Sequence, residues 1–143
     1  MMDMLPTFAV LAGAQKGPRF PIDGKNVWTL MEGKASAVSP HEAFFYYRVN
    51  QLQAVRSGVL KLYVDYLVGA GEKGRRAKPR LYNVVNDPGE TMDLAKKQPR
   101  MVAKLMEVAG KARKELGDRN QPGTGVRPSG RVEDPVPQRL TSE

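Results

Sequence analysis

The segment from residue 81 to residue 95 constrains the fold most, because it joins a strand to a helix through one tight turn. Its first residues are apolar and partly β-branched, as in a short strand: Leu81, Val84 and Val85. The run Asn86-Asp87-Pro88-Gly89 predicts a turn, since proline fixes φ and glycine tolerates positive φ. Thr91 or Asp93 is expected to cap a helical segment, with Glu90 near its positive end. The segment therefore predicts a sheet that passes the chain directly to a helix.

Three further runs with β propensity precede this segment, at residues 43–48, 52–56 and 59–68. The first is dense in aromatic residues, the second alternates apolar and polar side chains, and the third is the longest in the chain. Val49-Asn50 and Ser57-Gly58 are expected to form the turns between them. Together with the strand that begins at Leu81, these runs predict a four-stranded antiparallel meander.

Two helices and a long loop complete the predicted α+β fold. Residues 3–14 predict a short helix, since the apolar residues share one face and Gly13 is a natural stop. A loop punctuated by Gly and Pro then continues to residue 42. Pro99 opens a second helix with an apolar stripe as far as Leu116, which we expect to pack against the sheet. From residue 117 no apolar period remains, which predicts a disordered tail.

The residue inventory excludes several kinds of active site. The chain has no cysteine and a single histidine, His41. Disulfides, thiolate metal sites, a cysteine nucleophile and a multi-histidine metal site are therefore ruled out within it. No GxGxxG, P-loop, HExxH or GxSxG motif occurs. We also expect neither a secretory signal at the amino end nor a span of about 18 apolar residues.

The formal net charge of +8 permits binding to nucleic acid or to another anionic surface, and it also fits an ordinary basic surface. No nucleic-acid-binding signature accompanies the charge, so we predict no nucleic-acid partner. Four cations cluster in the loop at residues 69–79, between the third and fourth strands: Lys73, Arg75, Arg76 and Lys78. This loop either attracts a phosphate, sulfate or polyanionic ligand or forms a solvated hairpin tip.

Four segments, in the right order, resemble motifs of the type I sulfatases of the arylsulfatase family. Residues 3–14 resemble the "DLLPTLLxLAG" helix, and residues 22–33 resemble "DGxDLxPLLxG". Residues 54–62 look like the "AVRxGxWKL" strand pair, although Leu60 stands where the family usually has Trp. Residues 81–95 resemble "LYDLxxDPxExxNLA", with Asp93 where the family usually has Asn. The resemblance covers the chain from Asp3 to about Leu116.

This resemblance implies the carboxyl-terminal portion of a sulfuric ester hydrolase of the alkaline phosphatase superfamily. It divides the chain into the end of the large domain (1–42), the antiparallel-sheet subdomain (43–116) and a disordered tail (117–143). The family's nucleophile is a formylglycine made from Cys or Ser in a C/S-x-P-S/A-R motif, and its metal is calcium or magnesium. Both are expected in a catalytic part upstream of the first helix. No such motif occurs here, so no catalytic or metal-binding residue is carried over to this chain.

The function implied is that of a C-terminal sulfatase fragment, which contributes structure and substrate-pocket loops and is not catalytically competent alone. Its partners would be the catalytic domain, on the same or a separate chain, and a sulfated substrate, with no membrane partner. Members of the family are typically periplasmic, secreted or lysosomal. The candidate substrate-binding residues are Lys73, Arg75, Arg76, Lys78, His41 and Arg48.

The alternative is a free-standing, non-enzymatic binding or scaffold module for an anionic ligand. We further expect an exposed apolar patch on the amino-terminal side and poor solubility of the isolated chain, because the first helix would lose a neighbour that the large domain supplies.

Overall fold

The computed structural model of the chain describes residues 2–14, 22–68, 75–126 and 133–134. A four-stranded antiparallel sheet has the strand order β1-β2-β3-β6. Its strands are β1 (Phe44–Arg48), β2 (Gln51–Ser57), β3 (Leu60–Tyr63) and β6 (Arg80–Asn83). Two short ribbons pair β4 (Leu67–Val68) with β5 (Arg75–Arg76) and β7 (Gly117–Asp118) with β8 (Gln121–Pro122). The helices are α1 (Met4–Leu11), α2 (Trp28–Met31) and α3 (Pro99–Leu116).

The core lies between the sheet and α3. Leu62 at the middle of β3 pairs with Val55 of β2 on one side and Leu81 of β6 on the other, and all three are fully buried. The helix covers them with four buried side chains at the spacing of one helical face: Leu105, Val108, Ala109 and Ala112. The predicted α+β fold, with its antiparallel meander and packed helix, is thus confirmed.

The long strand expected at residues 59–68 is divided in two, and this part of the prediction is wrong. β3 ends at Tyr63, and the chain re-enters a strand only at Leu67, in a separate ribbon. Asp65 lies at the break. Its backbone carbonyl accepts a hydrogen bond of 2.9 Å from Arg113 Nη2 of α3, so the chain is drawn from the sheet towards the end of the helix.

The cap expected at Thr91 or Asp93 does not start a helix, since α3 begins at Pro99. The Asp93 carboxylate instead accepts hydrogen bonds from the backbone amides of Leu81 and Ala95, which ties the turn back to β6. Asp87 accepts from the backbone amides of Met92 (2.8 Å) and Thr91, and these bonds lower the pKa of Asp87. Backbone amides of β6 and of the turn have therefore taken the Asp93 carboxylate, which the sequence offered as a helix cap.

The first helix is held by its polar side and exposes its apolar side. Thr7 is fully buried, and its hydroxyl donates to the Asp3 carbonyl and accepts from the backbone amide of Val27. Gly24 lies so close to α1 that a Cβ there would collide with the Met2 carbonyl. Six apolar side chains of α1 and α2 are between 39% and 62% exposed: Leu5, Phe8, Val10, Leu11, Leu30 and Met31. These exposed side chains are those expected in the apolar patch predicted on the amino-terminal side.

The chain after α3 is ordered for ten residues where the sequence predicts the start of a disordered tail. Gly117 adopts a φ of 89°, and the backbone turns into the β7–β8 ribbon. The ribbon is fixed to the sheet, because the Tyr47 hydroxyl donates to the Gly117 carbonyl and Asp118 Oδ1 accepts from the Leu52 amide. Residues 127–132 and 135–143 of the predicted tail lie outside the described residues.

Candidate functional site

The predicted basic loop is only partly described. Lys73 lies outside the described residues, and of Arg75 only the backbone, paired in β5, is described. Arg76 is exposed and donates from Nη1 to Asp65 Oδ2 at 2.5 Å. Lys78 is exposed. Of the two predicted cations whose side chains the structure describes, Arg76 therefore has a carboxylate partner.

The other two predicted residues are attached to different elements. His41 Nε2 lies 2.8 Å from Asp3 Oδ1, which links the chain entering β1 to the start of α1. The pKa of Asp3 is lowered, first by the hydrogen bond from the Lys25 amide and then by His41. Arg48 is exposed at the end of β1 and pairs through its backbone with Gln51. His41 thus has a structural contact in this chain that the sequence did not predict.

A polar cavity of about 530 Å³ opens where the end of α3 meets both ribbons. Six charged residues line it: Asp65, Arg76, Arg113, Lys114, Asp118 and Arg119. Four uncharged polar residues complete the lining: Gln51, Tyr66, Asn120 and Gln121. Among the predicted substrate-binding residues whose side chains the structure describes, Arg76 is the one that lines this cavity.

Arg113 joins three segments at the back of the cavity. Its Nη1 lies 3.2 Å from Asp65 Oδ1, and its Nε lies 2.8 Å from Asp118 Oδ2. The second contact is an ion pair rather than a hydrogen bond, because the buried Nε–H has no acceptor in line with it. Helical position alone places Arg113 on the wet face of α3, and the two aspartates that surround it are 48 and 5 residues away in sequence. No local sequence pattern could have predicted that these three residues are in contact.

The lining of the cavity carries excess positive charge. Four cations face two carboxylates, which leaves a formal charge of +2. Asp65 pairs with both Arg113 and Arg76, and Asp118 pairs with Arg113. Within the described residues, the side chains of Lys114 and Arg119 have no carboxylate partner, so their charges are available to an anion from solution.

A second polar cluster lies on the sheet face opposite α3. Lys61 Nζ donates to Glu90 Oε1 (2.7 Å) and to the Tyr63 hydroxyl (2.9 Å), and that hydroxyl donates to Glu90 Oε2 (2.7 Å). The ammonium also lies over the rings of Tyr46 and Tyr63, 4.8 and 4.6 Å from their centroids. The three polar groups satisfy one another while largely shielded from solvent, which indicates a clamp between β3 and the turn that carries Glu90.

This cluster predicts that the free energy of unfolding falls as the pH is lowered. Burial by itself raises the pKa of Glu90, but the hydrogen bonds from Lys61 and Tyr63 outweigh it, so the pKa lies below its usual value. A depressed pKa in the folded state stabilises the protein above the unfolded value of about 4.3. That stability is lost as the pH falls through the folded-state pKa. We expect Glu90→Gln to lose about 1–2 kcal/mol at pH 7 and to show a shallower fall in stability between pH 5 and pH 3.

Urea denaturation at a series of pH values measures this effect. The matched control is Glu107→Gln, at an exposed position of α3, which should follow the wild type at every pH. Asp3 and Asp87 also have lowered pKa values, so part of the acid loss should remain in the Glu90 variant. A variant with the same pH slope as the wild type would contradict the assignment of the clamp.

Comparison with known proteins identifies the family. Residues 39–128 match the family described as the C-terminal region of aryl-sulfatase. Because the match covers more than half of the chain, the chain belongs to this family, and the resemblance seen in the sequence is confirmed. The division at residues 42 and 116 stays a prediction.

Similar proteins agree with this assignment. Steryl-sulfatase of Mus musculus is 29% identical over 137 residues, which cover 78% of this chain and 22% of that protein. A solved structure from work on the metabolism of multiple glycosaminoglycans by Bacteroides thetaiotaomicron has a TM-score of 0.59 at 20% identity, covering 78% of this chain and 24% of that one. The crystal structure of Ps i-CgsB has a TM-score of 0.53 at 24% identity, covering 76% and 23%. The chain thus spans about a quarter of the length of the proteins it matches.

The residues present do not fit the metal and the nucleophile that the sulfatase resemblance implies. Among residues 2–14, 22–68, 75–126 and 133–134, no group of three or more His, Cys, Asp or Glu is placed to hold a metal ion. The chain has no cysteine, and Ser39 is followed by Pro40 and His41 rather than by the rest of a C/S-x-P-S/A-R motif. In the same described ranges, no helix has the length and apolar character needed to cross a membrane.

Proposed function

We propose that this chain acts as the C-terminal region of a sulfatase, docked on a catalytic part that lies on the same or a separate polypeptide. This region forms part of the wall of the substrate pocket and contributes loops that face the substrate. The nucleophile and the metal belong to the catalytic part. The exposed apolar side of α1 carries this proposal, because a family member that presents such a surface needs a neighbour to cover it.

We define the α1 face as Leu5, Phe8 and Leu11, each about half exposed. The helix between Met4 and Leu11 contains no charged residue, so nothing on it opposes contact with an apolar partner. Burying the remaining half of three such side chains would contribute about 2–5 kcal/mol, at about 1.5–3 kcal/mol for each full burial. That contribution is large enough to hold the region on a catalytic part and large enough to promote aggregation in its absence.

Two experiments test the proposal. The coding sequence next to this chain should contain a C/S-x-P-S/A-R motif followed by metal-binding aspartates. The catalytic part encoded there, when expressed separately, should form a one-to-one complex with this chain in analytical ultracentrifugation. A chain that stays monomeric in the mixture, and that alone melts cooperatively at high concentration, would favour the free-standing binding module instead.

The basic loop is proposed to attract the anionic, sulfated substrate of the assembled enzyme. The observation that supports this is the clustering of Lys73, Arg75, Arg76 and Lys78 in one segment. We expect the double change Arg75→Gln and Arg76→Gln in the full-length enzyme to raise KM for a sulfated sugar about tenfold with kcat little changed, because steering charges act on encounter and binding.

The control is Lys104→Gln, at an exposed position of α3 more than two helical turns before the cavity. Steady-state kinetics at low ionic strength gives the largest difference, since salt screens exposed charges. An unchanged KM in the double variant would end the role of this loop and would leave the docking proposal standing. His41 and Arg48 are weaker candidates for the same role.

A further inference from the structure

The polar cavity at the end of α3 has the features of a ligand site within this chain alone. Its volume of about 530 Å³ lies in the range of about 300–1,000 Å³ that is typical of small-molecule sites. We propose that it binds one monosaccharide unit that carries a single sulfate or carboxylate group. The sequence-based candidates did not include this site, apart from Arg76 at its edge.

The charge of the lining selects a monoanion. Lys114 and Arg119 are exposed and, among the described residues, lack carboxylate partners, so both can bind an incoming acidic group. Asp65 and Asp118 lie in the same cavity, and the carbonyl end of α3 adds partial negative charge there. These groups oppose a ligand with several negative charges, such as a nucleoside triphosphate. The excess positive charge of the lining can therefore pair with one sulfate or one carboxylate group.

The uncharged lining favours a sugar as the carrier of that anion. Gln51, Asn120 and Gln121 each present an amide that both donates and accepts, and Tyr66 adds a phenolic hydroxyl. Sugar hydroxyls need partners of this kind, since each hydroxyl donates one hydrogen bond and accepts others. A purely apolar acid would gain no hydrogen bonds from these amides, which would remain hydrated.

The cavity is also held in shape before any ligand arrives. The Arg119 amide donates to the Asn50 carbonyl at 2.6 Å, and Asn50 Nδ2 donates to the Arg119 carbonyl at 2.5 Å. Arg113 fixes the opposite wall through Asp65 and Asp118. Because the walls are tied by hydrogen bonds and ion pairs from three segments, their backbone needs little ordering on binding, and the ordering cost falls on the side chains of Lys114 and Arg119.

Sulfate is chosen as one of the two acidic groups because of the proposed function. The existence and charge of the cavity are independent of the proposed function. Saturation-transfer NMR on the 143-residue chain at low micromolar concentration tests the site with glucose 6-sulfate, glucuronate and glucose. We expect binding of at least one of the two acidic sugars and none of glucose. Binding by one acidic sugar alone identifies the anionic group that the site prefers.

Two variants locate the binding. Lys114→Gln and Arg119→Asn should each weaken the affinity for the acidic sugar about tenfold, as expected for loss of one charge-assisted hydrogen bond. Asparagine is chosen because Arg119 has a φ of 59°, which asparagine tolerates. Lys111→Gln, at an exposed position of α3 outside the lining, is the matched control and should bind as the wild type does.

Absence of binding by both acidic sugars, equal binding of glucose, or equal weakening by the Lys111 control would overturn the proposal. If one cavity variant fails to fold, the other decides, since the two residues lie on different elements. The assay contains no catalytic part. A negative result here therefore leaves the docking proposal untouched, and a failure of docking leaves this site untouched.

Discussion

Leu62→Ala should lower the free energy of unfolding by about 3–5 kcal/mol, the largest loss expected from a single change in this chain. Leu62 is fully buried at the centre of β3, between Val55 and Leu81, under the buried face of α3. Removing its side chain deletes apolar contacts to both neighbouring strands and leaves a cavity that a hydrogen-bonded sheet cannot close.

An effect of this size approaches the whole stability of a small domain, which is about 5–15 kcal/mol. Urea denaturation followed by far-UV circular dichroism measures it, with the slope of the unfolding curve unchanged. Val38→Ala is the control, because Val38 is 81% exposed and its truncation should change stability by less than about 0.5 kcal/mol. A loss below about 1 kcal/mol for Leu62→Ala would contradict the position of the core between the sheet and α3.

Phe8→Lys should weaken the complex with the catalytic part by about a hundredfold or more. Phe8 lies on the α1 face and is 54% exposed, so in the isolated chain a lysine there contacts solvent. In the complex the same lysine would place an unpaired charge in an apolar contact, at a cost of about 3 kcal/mol or more. Lysine near the end of a helix also suits the negative end of the helix dipole, so the fold itself should be retained.

The same variant should make the isolated chain more soluble, because it divides the exposed apolar surface. Isothermal titration calorimetry of the two polypeptides gives the affinity, and the concentration dependence of sedimentation gives the self-association. Val38→Lys, which adds the same charge at an exposed position outside α1, is the control and should bind as the wild type does. Equal affinity of Phe8→Lys and the wild type would exclude the α1 face as the docking surface.

Local patterns predicted the elements of this chain well. The apolar stripe of α3, which includes Leu105, Val108 and Ala112, repeats at the helical period, and this face is the one that is buried. The pairing of β1 with β2 and of β2 with β3 follows from short turns such as Val49-Asn50, whereas the pairing of β3 with β6 spans a long connection. In both cases the information lies within a few neighbouring residues, where propensity and spacing act directly.

The features that the local sequence patterns did not predict depend on polar contacts between residues far apart in sequence. The break after β3 depends on Arg113, which binds Asp65 from 48 residues away. The carboxylate of Asp93 is used on the Leu81 amide rather than on a helix end. A carboxylate can accept hydrogen bonds from a helix end, from a turn or from a distant backbone amide. Tertiary packing selects which of these partners it binds.

The role of the six candidate substrate-binding residues stays a prediction, and the cavity at the end of α3 was not foreseen from the sequence. The basic loop was visible as a run of like charges, and Arg76 does line the cavity. Lys114 and Arg119 were missed because their neighbours in sequence fit the end of a helix and the beginning of a tail. Their approach to Gln51 and Asp65 depends on the β7–β8 ribbon, which two glycines at 117 and 123 allow by close backbone contact.

Sulfate release from a model aryl sulfate ester tests the central claim most directly. Three samples are compared: the purified chain, the proposed catalytic part expressed separately, and the two together. We predict no release by the chain alone, little by the catalytic part alone, and full activity when both are present. Release of sulfate by the purified chain alone would contradict the account, since the attacking group would then have to lie among these 143 residues.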